Sequence, residues 1–167
     1  MSCQDSVRIK GKIITSFECS NRFKIKFVIL NLGVDDILFP GSFIPASESI
    51  TSKAVISGNR QLISHAHGLR IRVIGATIPP FEHALFRDPF SGRIYTPEKD
   101  KVRQELNDWI RNSGEFDAVV DLDKVVRDPS HPAQLLPAYY SGDHLHVNDA
   151  GNAAQANAFP IELFKHI

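Results

Sequence analysis

Sulfur is scarce in this 167-residue chain, which has two cysteines, Cys3 and Cys19, and one methionine. Both cysteines lie near the N-terminus, and no C-x-x-C is present. One disulfide is arithmetically possible, but two thiols in a polar stretch do not identify a compartment. An excess of either charge is also missing: Lys+Arg and Asp+Glu are each 19, a formal net charge of zero. Partners such as nucleic acid or an anionic membrane usually leave a basic excess, so neither is expected. No stretch approaches the roughly 20 apolar residues that span a bilayer. The opening MSCQDSVRIKGK has no apolar core of a signal peptide, so the chain as written carries no export signal and its localisation stays unassigned. Internal repeats and low-complexity tracts are absent as well.

What remains is an ordinary globular composition, 43% apolar and 23% charged. The length suits one domain with a hydrophobic core. Seven histidines keep acid–base or metal chemistry open.

Phe27-Val28-Ile29-Leu30 is a short apolar run ending at Asn31-Leu32-Gly33. Such a run suits a strand buried on both faces of a parallel sheet, with a buried helix segment as the competing reading. From about 49 to 67 the pattern is helical, with Ile50, Ala54, Leu62, Ile63 and Ala66 on one stripe and Gly68 as the residue past its end. Ile71 to Ala76 reads as a second strand, followed by a long loop over 77–96 with Pro79-Pro80, Pro89 and Gly92. Thr96-Pro97-Glu98 is a helix start, with Thr as N-cap and Pro in the first turn. That helix carries Val102, Leu106, Trp109 and Ile110 on one face. Ala118 to Leu122 is a third strand, 128–142 a second loop, and Asn148-Asp149 caps a last helix reaching Pro160.

Strands alternating with helices imply parallel pairing. Ligands of open parallel sheets bind beyond the C-terminal ends of the strands. Gly33 to Asp36, the loop from Thr77, and Asp143 to His146 each follow a strand, so all three segments are expected at one edge.

Asp143 and His146 are three apart before a helix cap. In a turn, that spacing lets the carboxylate accept from the imidazole Nδ1–H and leaves Nε2 free as a base toward a hydroxyl. On spacing alone, surface or capping roles are commoner for such a pair. His144-Leu145-His146 with Asp143 lacks a third metal ligand, so no metal is expected, and no cofactor motif is present. His65 and His67 suit the end of a helix, where the dipole favours them.

The block Gly142-Asp143-His144-Leu145-His146-Val147-Asn148-Asp149-Ala150-Gly151 resembles the last signature block of the SGNH/GDSL hydrolases. Gly33-Val34-Asp35-Asp36 is similar to that family's Gly-x-Asn-Asp block. Gly75 to Phe81, Tyr95 to Glu98 with its helix, and Leu135 to Tyr139 look alike too, so the resemblance runs over about 22–164. The likeness is to the subgroup of esterases found near xylan-degrading activities. It implies a flavodoxin-like three-layer α/β/α fold and hydrolysis of a small-molecule or carbohydrate ester through an acyl-serine intermediate. It also implies Asp143 as orienting acid, His146 as general base, and an Asn side chain in the oxyanion hole.

Two departures matter. The family's nucleophile sits on a Gly-Asp-Ser turn well upstream of the Gly-x-Asn-Asp block, and only 32 residues precede Gly33. Gln4-Asp5-Ser6-Val7 echoes that turn, but no strand precedes Ser6 and Gln4 replaces the glycine. The nucleophile is therefore unassigned, and the fold is expected to be incomplete at its N-terminal strands. Residues 1–21 read as a disordered segment or replacement strand, and 22–167 as a partial hydrolase domain. Second, Asp35 stands at the oxyanion Asn, and an ionised carboxylate has no hydrogen to donate. The chain is thus expected to be inactive alone; the alternative is a non-catalytic carbohydrate- or protein-binding remnant of the fold. Aromatics of the loops (Phe81, Phe86, Phe90, Tyr95, Tyr139, Tyr140) are open to packing on a sugar or on the domain itself.

Overall fold

The computed structural model describes residues 7–9, 12–14, 25–84 and 94–165. Ser6, both cysteines, Phe86 and Phe90 lie outside these residues. Strands β1 (Val7–Ile9) and β2 (Lys12–Ile14) pair antiparallel as a two-stranded sheet of their own. Among the described residues neither strand pairs with the main sheet.

The main sheet is three-stranded and parallel, in the order β3 (Phe27–Leu30), β4 (Arg72–Ala76), β5 (Ala118–Val120). Val28 lies opposite Val73, Leu30 opposite Gly75, and Gly75 opposite Val119. The apolar runs read as strands form strands, and their residues Leu30, Val73, Ile74, Ala76 and Val120 are buried while Ile29 and Val119 stay exposed. Among the described residues β3 pairs only with β4.

Helix α1 (Val34–Leu38) follows β3, α2 (Ser52–Gly68) leads into β4, and α3 (Pro97–Asn112) leads into β5. Short α4 (Leu122–Val126) follows β5, and α5 (Asp149–Asn157) precedes a 3-10 turn at Ile161–Phe164. On one face of the sheet, Leu30 and Val73 pack against Leu62, Ile63 and Ala66 of α2, with Trp109 and Phe116 at the rim. On the other, Ile74, Ala76 and Val120 are covered by Ala158, Phe159, Leu163 and Phe164. The sheet is thus sandwiched, as expected of an α/β fold.

Three sequence expectations change. Helix α2 begins at Ser52 under the cap of Thr51, whose side chain accepts from the Ala54 N–H at 3.3 Å. Its buried stripe runs through Ser52, Val55, Asn59, Leu62, Ile63 and Ala66, leaving Ala54 exposed. Gly68 is the last helical residue, and it is Arg70 that turns left-handed, at φ 58°. Finally, α1 and α4 were not expected, since five residues are too few for a helical period to register.

Candidate active site

A tight turn brings Asp143 and His146 together. Ser141 N–H donates to the His146 carbonyl at 2.8 Å, and Tyr140 bridges Val147 antiparallel, closing the base of the turn. Gly142 at φ 107° and His144 at φ 57° supply the left-handed backbone that the reversal needs. Asp143 Oδ1 then accepts from the Ser141 hydroxyl (3.1 Å), Leu145 N–H (3.0 Å) and His146 N–H (2.8 Å). Its Oδ2 meets His146 Nδ1 at 2.5 Å.

A carboxylate accepts only, so Nδ1 is the donor and Nε2 of neutral His146 is left as the acceptor. The Asp143 side chain is 32% exposed and that of His146 70%, so the free nitrogen faces outward. Burial opposes ionisation of Asp143. The bonds from the His146 ring, the His146 and Leu145 backbone and the Ser141 hydroxyl outweigh it, and hold the carboxyl well below the usual carboxylate range. Asp143 therefore stays ionised beside the His146 ring.

The turn leads straight into α5. Asn148 caps that helix, accepting from Gly151 N–H at 3.0 Å while its amide donates to the Ala138 and Tyr140 carbonyls at 3.0 and 3.3 Å. A side chain at Gly151 would meet the Tyr139 carbonyl and Val147 Cβ, each at 2.7 Å. Glycine is what lets the helix sit this close to the turn.

The other two segments reach the same edge of the sheet. Gly33, buried at φ 119°, ends the β3 connection where any Cβ would press on Val55 at 3.0 Å and Leu106 at 3.2 Å. Asn31 donates to the Ala76 and Thr77 carbonyls at 3.2 and 3.0 Å, tying the ends of β3 and β4. Val34 and Leu145 pack on one core cluster, together with Ile78 and Phe81. Asp35 lies exposed in the first turn of α1. Among the described residues no hydrogen bond or ion pair joins its side chain to Asp143 or His146.

Phe81 is fully buried and its ring meets Tyr95 edge-on at 6.1 Å, so its role is in the core. His67 does more than sit at a helix end: its Nε2 lies 2.9 Å from Asp117 Oδ2. Among the described residues, no group of three or more His, Cys, Asp or Glu side chains is placed to hold a metal ion.

Sequence reasoning missed a buried charge network under the loop after β4. Arg103 Nε donates to Asp100 at 2.6 Å, and its Nη1 to Asp123 at 2.8 Å and the Ile78 carbonyl at 3.2 Å. Arg111 reaches Asp121 and Asp123, and Arg127 reaches Asp123. Asn107 holds both the N–H and the carbonyl of Ile78, at 2.7 and 2.8 Å. Asp100, Arg103 and Asn107 at helical spacing on α3 were the available signal. A polar cleft of about 470 Å³ opens beside this network, lined by Arg103, Arg111, Asp123 and Arg127. Its charges are matched to one another, and the acid–base pair is not among its lining residues.

The family model for the GDSL-like lipase/acylhydrolase family matches residues 11–154. Among solved structures, a GDSL-like lipase from Bacteroides thetaiotaomicron is similar, with 18% identity and a TM-score of 0.62 over 84% of this chain and 63% of that one. A provisionally assigned acylhydrolase from Bacteroides fragilis is similar at 19% identity and a TM-score of 0.53, over 79% of this chain and 58% of that one. The chain thus spans less than two thirds of the length of either. No curated protein matches it.

Proposed function

The chain belongs to the GDSL-like lipase/acylhydrolase family, and from that premise we propose that Asp143 and His146 are the acid and base of a carboxylic-ester hydrolase site. The observation that carries this is the 2.5 Å contact from Nδ1 to Asp143, which leaves Nε2 acceptor-ready at the exposed face of His146. Such an Nε2 removes the proton of an attacking hydroxyl and returns it to the leaving alkoxide, while Asp143 stabilises the imidazolium between the two steps. The substrate class is a small-molecule or carbohydrate ester, and the subgroup is that of the xylan-associated esterases.

The 167 residues contain no Gly-Asp-Ser block, and Asp35 replaces the oxyanion Asn. Loss of one oxyanion donor costs about 10²–10³ in rate, and a carboxylate there adds repulsion. We therefore assign this chain the acid–base portion of the site and no turnover by itself. The test is p-nitrophenyl acetate hydrolysis together with labelling by a fluorophosphonate. No labelled serine and background turnover are expected. A labelled serine that disappears with Ser6→Ala would overturn the assignment. To test the base directly, a strand and helix bearing a Gly-Asp-Ser turn are joined ahead of Phe27. Turnover should appear, and fall by about 10⁴ with His146→Ala or Asp143→Asn, as in other serine hydrolases. Turnover indifferent to His146→Ala would reject the role.

A further inference from the structure

We infer that His83 is a positioning residue for the Asp143–His146 pair, acting through the ring of His144. The inference rests on the reading of that pair given above. His83 sits on the loop after β4, some sixty residues before the turn, in the Phe81–Ala84 bend closed by Ala84 N–H to the Phe81 carbonyl at 3.0 Å. Phe81 and Ala84 are both buried, which anchors the bend and presents His83 at its exposed tip. The His83 ring meets the His144 ring edge-on, with centroids 5.6 Å apart and planes at 71°. The same ring also stacks on Tyr140, at 4.3 Å and 21°. His144 is therefore held between one ring at the base of its own turn and one from a different loop.

The backbone points the same way. His83 (φ 67°) and His144 (φ 57°) are two of the three non-glycine residues with positive φ among the described residues, and they touch each other. β-Carbon residues avoid this region unless surroundings over-determine it, and such strain collects where geometry has a use. The bend is also fastened to the 131–134 segment, by Glu82 N–H to the Ala133 carbonyl at 2.8 Å and Gln134 Nε2 to Glu82 at 2.8 Å. His144 is the residue between Asp143 and Leu145, so a ring clamp on His144 restrains the φ that sets the Asp143–His146 contact. The turn's own bonds close it; the clamp keeps it from rocking away from the sheet edge.

The test reads the tautomer of His146 by long-range ¹H–¹⁵N correlation in the full chain, above about pH 8 where imidazoles are neutral. In the unaltered chain the proton should reside on Nδ1. His83→Ala should move about half of the His146 population to the Nε2–H form, because a mobile turn no longer holds the carboxylate against Nδ1. His83→Asn should do the same; Asn tolerates left-handed φ, so it separates loss of the ring from backbone strain. His83→Phe keeps an aromatic ring at the contact and should retain the Nδ1–H form. Unchanged spectra for both Ala and Asn, or a Phe variant behaving like Ala, would overturn the clamp. No substrate enters the measurement. An intact clamp in a completed enzyme indifferent to His146 would reject the hydrolase reading alone, and unchanged His83 variants in an enzyme that needs His146 would reject the clamp alone.

Discussion

Replacing Arg103 by Met tests the claim that buried charge, rather than apolar packing alone, anchors the loop leading to the site. The Arg103 side chain is 2% exposed, with Asp100 and Asp123 at 6% and 4%. Methionine keeps much of the volume over the Phe81 ring, which lies 5.7 Å from the guanidinium carbon. It removes the bonds to Asp100, Asp123 and the Ile78 carbonyl. Asp123 retains Arg111 at 2.5 Å and Arg127 at 3.1 Å. Among the described residues Asp100 retains only the Gln104 amide, at 2.5 Å, so Asp100 is the one left short of a charged partner. Removing one partner of a buried pair costs about 3–5 kcal/mol. With Asp123 still paired, the lower end applies, about 3 kcal/mol, or a fall of about 6–12 °C in Tm for a domain of this size. Urea unfolding followed by fluorescence of the single tryptophan, Trp109, measures it. The double variant Asp100→Asn/Arg103→Met removes that charge and should recover about 1–2 kcal/mol relative to Arg103→Met. A single-variant loss under about 1 kcal/mol, or a double variant less stable than the single, would refute the reasoning.

Three further outcomes are expected. Burial resists ionisation of Asp121, but bonds from Arg111, the Lys124 N–H and the Thr77 hydroxyl bring its carboxyl down to about 2. A depressed folded-state value stabilises above the ordinary carboxylate range and is lost as pH falls through the folded value; Asp121→Asn should cost about 1–2 kcal/mol at neutral pH, after allowance for partial exposure, with the difference shrinking as pH falls toward about 2 and vanishing below it. A pH-independent difference in unfolding free energy would contradict this. Gly151→Ala forces a Cβ to within 2.7 Å of the Tyr139 carbonyl; a loss of about 1–3 kcal/mol and displaced amide resonances in 139–147 are expected, against a gain from helix propensity if the space were open. Asn148→Ala removes a cap and two carbonyl bonds, so thermal unfolding should report at least the roughly 1 kcal/mol of a lost N-cap; a neutral result would mean the cap does not hold α5 to the turn.

Features made by neighbours in sequence were legible before any fold was known. The start of α3 follows from Thr96, whose hydroxyl accepts from Lys99 N–H at 3.3 Å, and from Pro97. The three main strands follow from short apolar runs, and the N-cap of α5 from Asn148. Features made by distant residues were not. Val55 rather than Ala54 is buried because α2 turns to meet the cluster holding Leu106 and Ile110. Asp100 and Arg103 look like a solvated helix face until Asp123, twenty residues on, covers them.

The site divides along the same line. The sequence by itself determined that a carboxylate and an imidazole lie three residues apart before a helix cap, and that no Gly-Asp-Ser occurs within these 167 residues. Tertiary structure decided that they touch. A spacing of three fixes only a reachable range, and it takes the left-handed turn at His144 to close it to 2.5 Å. That turn is held against rings of Tyr140 and His83, and His83 comes from a loop that no local pattern connects to it.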